Sequence, residues 1–329
     1  MNSRNVPDLN GKHASPPMVS VITSCYNTAA YIEQCIKSVQ AVNTYDRFRV
    51  EHIVVDDGST DASPVILRDL ACSFKGSKIQ LKVYKLAVNT GTPSQVRNYG
   101  VGRAGGKYLF CLDADDVITQ NALRYFLDHF LANPDSRWAY SDFVRSGKTL
   151  NYVVGKDYWG WPHATPSDLL YSVFKGDHIY QHSFMCERAL FNEVGGYDPD
   201  SRFGEDLDLC VRYVMAGFMP THLPITSHIH RDHGANMTAH FGHAEHLEDV
   251  RNHYATHRVA LVQWLTPKQI VEVEQSIEWI DIQMRRRGSA PATIQPCPVS
   301  PTAEFHKSPG QPSKASISTL DNRNRPLHE

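Results

Sequence analysis

None of the seven cysteines (positions 25, 35, 72, 111, 186, 210 and 297) stands in CxxC spacing, and their number is odd. Several lie inside apolar runs such as Leu109-Phe110-Cys111-Leu112, so they read as reduced core thiols of an intracellular protein rather than as a disulfide framework. No stretch reaches the ~18 to 20 apolar residues that a membrane span needs, and the polar N-terminus up to Pro17 lacks the apolar core of a signal peptide. The expectation is a cytoplasmic protein that meets a membrane only peripherally. Charge of one sign is also missing: 33 Lys and Arg stand against 35 Asp and Glu, a formal net charge of -2. Nothing global pulls the chain toward nucleic acid or an anionic surface, and any anion site must be local. The G-x-G-x-x-G that a dinucleotide-binding dehydrogenase carries after its first strand is absent, replaced by Thr23-Ser24-Cys25-Tyr26-Asn27.

What is present has globular proportions, with 41% hydrophobic and 21% charged residues. Met18 to Thr23 alternates and is β-branched, and after Asn27-Thr28 the residues Ile32, Cys35, Ile36 and Val39 recur at helical spacing. The pattern repeats. Val50 to Val55 is a strand ending in Asp56-Asp57-Gly58-Ser59, Ser63-Pro64 opens a helix, Ile79 to Tyr84 is a third strand, Thr92-Pro93 opens a third helix, and Tyr108 to Leu112 is a fourth strand. Such alternation predicts a Rossmann-like, mostly parallel α/β sheet flanked by helices, with ligands beyond the carboxyl ends of its strands. Loops at Ser24 to Asn27, Asp56 to Ser59 and Asp113 to Asp116 fall on that rim.

Asp113 and Asp115 of Asp113-Ala114-Asp115-Asp116 project to one side of an extended segment, since the side-chain period is two. Carboxylates ~4 Å apart repel by ~1 kcal/mol in water and ~4 kcal/mol at an effective dielectric of 20, so crowding three at a sheet rim makes most sense around a divalent ion. Oxygen ligands suit Mg2+ or Mn2+. The competing reading is a solvated turn with a helix cap. Asp56 to Asp61 offers carboxylates to a base or ribose but equally to an Asx turn. Gly204-Glu205-Asp206 precedes an apolar helix, where the dipole favours negative charge, and plain capping is the alternative there. Nine of the seventeen histidines fall between His222 and His257, among them the triplet His240, His243 and His246, which leaves a zinc site open. The aromatic stretch from Asn151 to His182 (Tyr152, Tyr158, Trp159, Trp161, Tyr180) offers faces for sugar stacking, although packing under a loop accounts for most of it.

These segments together resemble glycosyltransferase family 2, inverting enzymes of the GT-A fold that use nucleotide sugars. The resemblance rests on Val19-Ser20-Val21-Ile22 with Tyr26-Asn27, Val54 to Asp61, Asn89 to Asn98 with Arg97-Asn98, Leu112 to Asp116, Gly195-Gly196-Tyr197-Asp198, Gly204-Glu205-Asp206 and Arg231-Asp232-His233, in the family's order. Ser24 stands where the family usually has proline. What the resemblance implies is that Ser24, Tyr26, Asp57 and Arg97 lie on the nucleotide side and that Asp113 contacts ribose or metal. Asp115 and His233 would ligate Mn2+ or Mg2+, and Asp206, with Glu205 beside it, would be the general base. The implied partners are a nucleotide-sugar donor, a UDP-sugar first of all, and a hydroxyl acceptor that is a glycan, a lipid-linked acceptor or a small molecule. Three rivals stand beside this reading: a nucleotidyltransferase or other metal-nucleotide enzyme, a non-catalytic nucleotide-sugar-binding module, and a histidine-built zinc hydrolase.

The expected organisation is a flexible N-terminus (1–17), a GT-A domain (18–244) with a nucleotide half (18–117) and an acceptor half (118–244), C-terminal helices (245–287), and a disordered Pro- and Ser-rich tail (288–329). Ile270, Val273, Ile277, Ile280 and Met284 form a seam at alternating three and four spacing, suited to the catalytic domain or to a homo-oligomer.

Overall fold

The computed structural model describes residues 18–152, 158–175, 184–201, 204–234, 236 and 243–287, except for the side chains of 243–250 and 279–287. The flexible N-terminus and the tail after 287 expected above lie outside the described residues. Residues up to Arg285 form one compact unit, and Arg286–Glu329 separates as a second, of which two helical residues are described.

Strands β1 (Met18–Cys25), β2 (Arg49–Asp56), β3 (Gln80–Lys85) and β4 (Tyr108–Cys111) pair in parallel in the order β3-β2-β1-β4. Helices α1 (Ile32–Gln40), α2 (Ser63–Ser73) and α3 (Pro93–Val101) connect them. Strands β5 (Val117–Ile118), β6 (Trp138–Ser146), β7 (Phe184–Glu187) and β8 (Thr221–Arg231) complete a sheet of eight in the order β3-β2-β1-β4-β7-β6-β8-β5. The alternating sequence pattern holds through β4. Beyond it β7 runs antiparallel to both β4 and β6, so β6 points the same way as β4 and carries its chain toward the same rim.

Side-chain alternation divides the core into two layers, one per sheet face. Val19, Val21, Val54, Tyr108 and Phe110 pack with α1, α2 and α4 (Ala122–Ala132). Ile22, Ile53, Val55, Leu109 and Cys111 face α3, α5 (Pro166–Lys175), α6 (Arg188–Glu193) and α7 (Glu205–Met215). Two C-terminal helices, α8 (His243–Leu261) and α9 (Pro267–Arg287), join this second layer through Tyr254, Leu261, Val273 and Ile277. Val273 and Ile277 of the three-and-four seam are thus spent inside the core with Ile270 packed against it, while Ile280 and Met284 are among the side chains not described. No described helix is long and apolar enough to cross a membrane.

Helix α3 packs directly on β1 and β2 and carries residues of the site. Thr92 caps it, accepting the Gln95 N–H at 3.4 Å, and Pro93 fills its first turn. A Cβ built on Gly100 would sit 2.7 Å from Ile22 Cγ2 and 3.4 Å from Val55 Cγ2. Overpacking there costs about 1–3 kcal/mol, against about 1 kcal/mol gained by replacing a helical glycine with alanine. Gly100→Ala is therefore expected to destabilise by up to about 2 kcal/mol on balance, a Tm drop of at most a few degrees by scanning calorimetry, and a raised Tm would show that α3 stands off the sheet.

Candidate active site

At the end of β1 the chain turns through Asn27, whose φ of 53° lies in the left-handed region that asparagine tolerates. Its Oδ1 accepts the N–H groups of Thr60 (2.8 Å) and Asp61 (3.3 Å), and its own N–H donates to Ser59 Oγ (2.9 Å). Thr28 N–H reaches Ser63 Oγ and Ala29 N–H reaches Asp61 Oδ2, both at 3.0 Å. The first two loops are thereby stitched together, leaving the Tyr26 ring exposed between them. Ser24 sits half-buried one residue inside β1, in register with Val55. Buried Asp57 accepts the Thr90 N–H at 2.9 Å and its hydroxyl at 3.0 Å. Burial raises its pKa, with repulsion from Asp56 adding to this, against the lowering effect of the two Thr90 bonds. Gly58, at φ 70°, has no alternative: a Cβ there would lie 2.9 Å from backbone atoms of Val88 and Asn89.

From α3, Arg97 enters the site 3% exposed, donating from Nη2 to Asp113 Oδ1 (2.8 Å) and from Nη1 to Glu205 Oε1. Burial works against its charge, but Asp113 first, then Glu205 and Asp206, lift its pKa well above the ordinary arginine range. The sequence places Arg97 on the nucleotide side; in the structure it binds two carboxylates, one of them Asp113 on that side. The neighbouring Asn98 clamps the other half of the chain, accepting the Tyr197 N–H at 3.0 Å and donating to the Tyr197 carbonyl at 2.8 Å. Ser94 donates to the Ser201 carbonyl at 3.0 Å.

The acidic loop divides its labour. Oxygens of Asp113, Asp115 and Asp116 all lie within 4.8 Å of one another, the one group with metal-site geometry among the described residues. Asp116 is turned inward, its Oδ1 accepting the Arg231 N–H (2.8 Å) and its Oδ2 meeting His230 Nδ1 (3.2 Å). Burial, with repulsion from Asp115 and Asp113, raises its pKa against the lowering effect of His230, and while burial works against a charge on the half-buried His230, Asp116 raises its pKa. Asp113 and Asp115 stay at the rim, and His233 Nε2 stands 2.9 Å from Asp115 Oδ2. The oxygens of this triad fit Mn2+ or Mg2+, with Asp113 and Asp115 presenting theirs at the rim, His233 facing Asp115, and Asp116 anchored from within by Arg231 and His230.

Behind this loop lies Arg231, almost fully buried. It donates to the Asp115 carbonyl (2.6 Å), the Lys148 carbonyl (2.9 Å) and Gln34 Oε1 (2.7 Å), with its guanidinium 5.0 Å from the centre of the Tyr31 ring. Tyr31 stacks on His233 with ring centroids 4.3 Å apart. Helix α1 thus braces the histidine that faces Asp115.

Across the cleft, Gly204 (φ 65°) starts α7, placing buried Glu205, Asp206 and Asp208 in its first turn. Asp208 accepts Arg212 Nε (2.9 Å), Arg212 Nη2 (2.7 Å) and His257 Nε2 (2.7 Å). Of the aromatic stretch, Tyr158 packs on Phe143 at 5.0 Å, whereas Tyr152 and Trp159 are exposed. Gly160 donates to buried Asp142 at 2.8 Å, which fixes the loop that presents Trp159 and the half-exposed Trp161. Tyr180, His182 and His240 lie outside the described residues, as do the side chains of His243 and His246.

A family model described as Glycosyl transferase family 2 matches residues 20–195. Among curated proteins, the minor teichoic acid biosynthesis protein GgaA of Bacillus subtilis (strain 168) is 34% identical over 196 residues, covering 57% of this chain and 41% of GgaA. The chain therefore spans about two fifths of that relative. Among solved structures, S. aureus TarS 1-349 in complex with UDP-GlcNAc aligns with a TM-score of 0.54 at 19% identity, covering 80% of this chain and 71% of that one. The mannosyltransferase PcManGT from Pyrobaculum calidifontis, in complex with GDP-Man and Mn2+, aligns at 0.56 and 18%, covering 85% and 77%. At such identity these two likenesses speak for the fold, the GT-A-like sheet expected from the sequence.

Sequence reasoning missed Thr90, Asn27 as a stitch, Asp116 as an anchor, Arg231 as a brace, and the His257 contact to Asp208. Asn27, Thr90, Asp116 and Arg231 each fall inside a motif quoted above, which marks the segment but not the role, whereas the His257 contact carried no signal. The Asp208 contact has a measurable consequence. Burial opposes its charge, but bonds from His257 and Arg212 hold its pKa down to about 2, against an ordinary 3.8. A depressed carboxylate contributes stability that is complete above its unfolded pKa and lost as pH falls through the folded one, here about 2 kcal/mol. The difference in urea unfolding free energy between wild type and Asp208→Asn should shrink by about that amount between about pH 5 and about pH 2. A difference independent of pH would place its stabilisation elsewhere.

Proposed function

This chain belongs to glycosyltransferase family 2, and from that we propose that it moves a sugar from a nucleotide-sugar donor to a hydroxyl acceptor in a single inverting displacement. One observation carries the reading: Arg97 binds Asp113 of the acidic loop and Glu205 beside Asp206 at the same time, so a donor-side carboxylate and the base-side turn share one buried cation. A reacting group lying between them meets a cation-binding edge on one side and a carboxylate on the other.

The roles follow from position. The exposed ring of Tyr26 and the Thr90-held carboxylate of Asp57 flank the stitched loops, where a base and ribose would lie. Asp113, Asp115 and His233 would hold Mn2+ or Mg2+, which supplies positive charge to the diphosphate as it leaves. The TarS and PcManGT complexes, with UDP-GlcNAc and with GDP-Man and Mn2+, support both the donor class and the ion. Asp206 takes the proton of the acceptor hydroxyl as its oxygen bonds to the anomeric carbon; the bond from that carbon to the diphosphate oxygen breaks, and its electron pair leaves with the nucleoside diphosphate. Attack from the face opposite the leaving group inverts the anomeric centre. Trp159, presented beside Asp142-held Gly160, offers a flat face to an acceptor sugar. The location on the cytoplasmic side and any association through the C-terminal helices belong to the same proposal.

Two outcomes are expected. Excess chelator should abolish turnover, and Mn2+ or Mg2+ should restore it; full turnover without a divalent ion would remove the metal from the scheme. Asp206→Asn should lower kcat by about 10²- to 10⁴-fold, about 3–5 kcal/mol of barrier, while donor affinity and Tm stay near wild type. Product NMR should show the inverted anomer. Retention, or an Asp206→Asn variant that is less stable yet turns over normally, would reduce Asp206 to a helix-capping residue.

A further inference from the structure

The histidines of α8 meet the turn that carries Asp206. His257 Nε2 lies 2.7 Å from Asp208 Oδ1, and His253 Nδ1 lies 3.9 Å from the same oxygen. His253 Nε2 stands 3.3 Å from Ser201 Oγ, and a Cβ on Gly204 would come within 3.1 Å of the His253 ring. Residues on both sides of Asp206 are thereby in contact with one helix some fifty residues further along the chain.

This turn needs external support. Its N-cap residue is a glycine in the left-handed region and supplies no side-chain cap, yet three carboxylates occupy the first turn. Glu205 is held by Arg97 from α3. Asp208 is held by Arg212 of α7, which also donates from Nη1 to the Val194 carbonyl after α6 (2.7 Å), and by His257, which ties the turn to α8. Since the Asp208 carboxylate only accepts, His257 Nε2 is the donor in that bond. Both histidines are buried, although α8 is already anchored in the core by Tyr254 and Leu261. Burying polar rings where leucine would pack has a desolvation cost, and what they add is a directional contact at the base-bearing turn.

We propose that His253 and His257 are positioning residues for catalysis, fixing the first turn of α7 and hence Asp206, so that α8 belongs to the catalytic apparatus. The proposal rests on Asp206 being the base. Misplacement of a reacting group by about 1 Å can cost about 10²-fold in rate, and kcat is where the loss should appear.

The test compares full-length His257→Leu, which keeps bulk without a donor, with His257→Gln, whose amide N–H can take the place of the ring Nε2. Release of nucleoside diphosphate is followed from UDP-N-acetylglucosamine and from GDP-mannose with saturating Mn2+. His257→Leu should lose about 10- to 10²-fold in kcat with donor KM unchanged, and His257→Gln should recover most of it. A wild-type kcat in His257→Leu, or equal losses in both variants, overturns the positioning role. Asp206→Asn in the same assay separates the two claims: if it turns over normally the base assignment falls and the positioning role with it, whereas its loss beside an unaffected His257→Leu overturns the positioning role alone. Amide hydrogen exchange at Glu205 to Asp208 gives a readout that needs no substrate. It should accelerate in His257→Leu and not in His257→Gln, and unchanged exchange in His257→Leu counts against the contact.

Discussion

A single buried guanidinium holds the two halves of the site in register. Without Arg97, Asp113 on the acidic loop and Glu205 on α7 would face each other as like charges, and at ~4 Å and an effective dielectric of 20 such a pair repels by ~4 kcal/mol. With Arg97 between them the repulsion becomes two charge-assisted bonds to one planar group. A buried cation is tolerable only where its partners are fixed, and much of α3 serves that condition. Thr92 and Pro93 set where the helix starts, Gly100 lets it settle onto Ile22, and Asn98 binds the backbone of Tyr197 as a second strand would. The Tyr197 ring then lies beneath the Arg97 guanidinium, 5.6 Å from its centroid.

The same logic governs the outer edge of the acidic loop, with neutral partners in place of carboxylates. Arg231 reaches two carbonyls and an amide, so its charge is solvated by oriented dipoles from the acidic loop, the segment after β6, and α1. Held this way, a cation close to Asp115 and Asp116 offsets their mutual repulsion without occupying the oxygens that a divalent ion would need. The loop is preorganised before any ligand arrives, which is the condition under which electrostatic stabilisation of a leaving group costs no reorganisation.

How much of this is legible in the sequence depends on whether a feature is local. The first four strands declare themselves because each is a short apolar run closed by a turn signal, and the acidic rim motifs follow at the places where such strands end. Strands β6 and β8 do not. Trp138–Ser146 contains Ser141 and Asp142 at register shifts against β8, and β8 itself carries His222, His228 and His230, so neither shows clean alternation. Strand β7 is four residues long and enters antiparallel. The residue types at the rim are readable, but which oxygen faces outward is not: Asp116 looks as exposed as Asp115 until β8 supplies an N–H and an imidazole that draw it inward. Contacts such as His257 to Asp208 join positions 49 apart and leave no trace in spacing.

The histidine-rich stretch shows the same point in reverse, since its density left a zinc site open. A structural zinc needs about four nitrogen or sulfur ligands converging on one centre. Here the described histidines are dealt out among different aspartates: His222 to Asp142, His230 with His228 further off to Asp116, His233 to Asp115, and His257 with His253 further off to Asp208. Each pair sets an aspartate, buried in every case but Asp115, beside a ring that can donate one hydrogen bond and still pack, as Tyr140 packs on His222 and Tyr31 on His233. An arginine in the same place would bring a permanent charge and a longer side chain to order. Three of these four aspartates lie on the acidic loop or in the first turn of α7, so the imidazoles act as spacers that fix carboxylate geometry around the cleft. His233 alone stands where it could exchange its aspartate for an ion shared with that aspartate, which makes it the member of the series whose partner is expected to change when the donor binds.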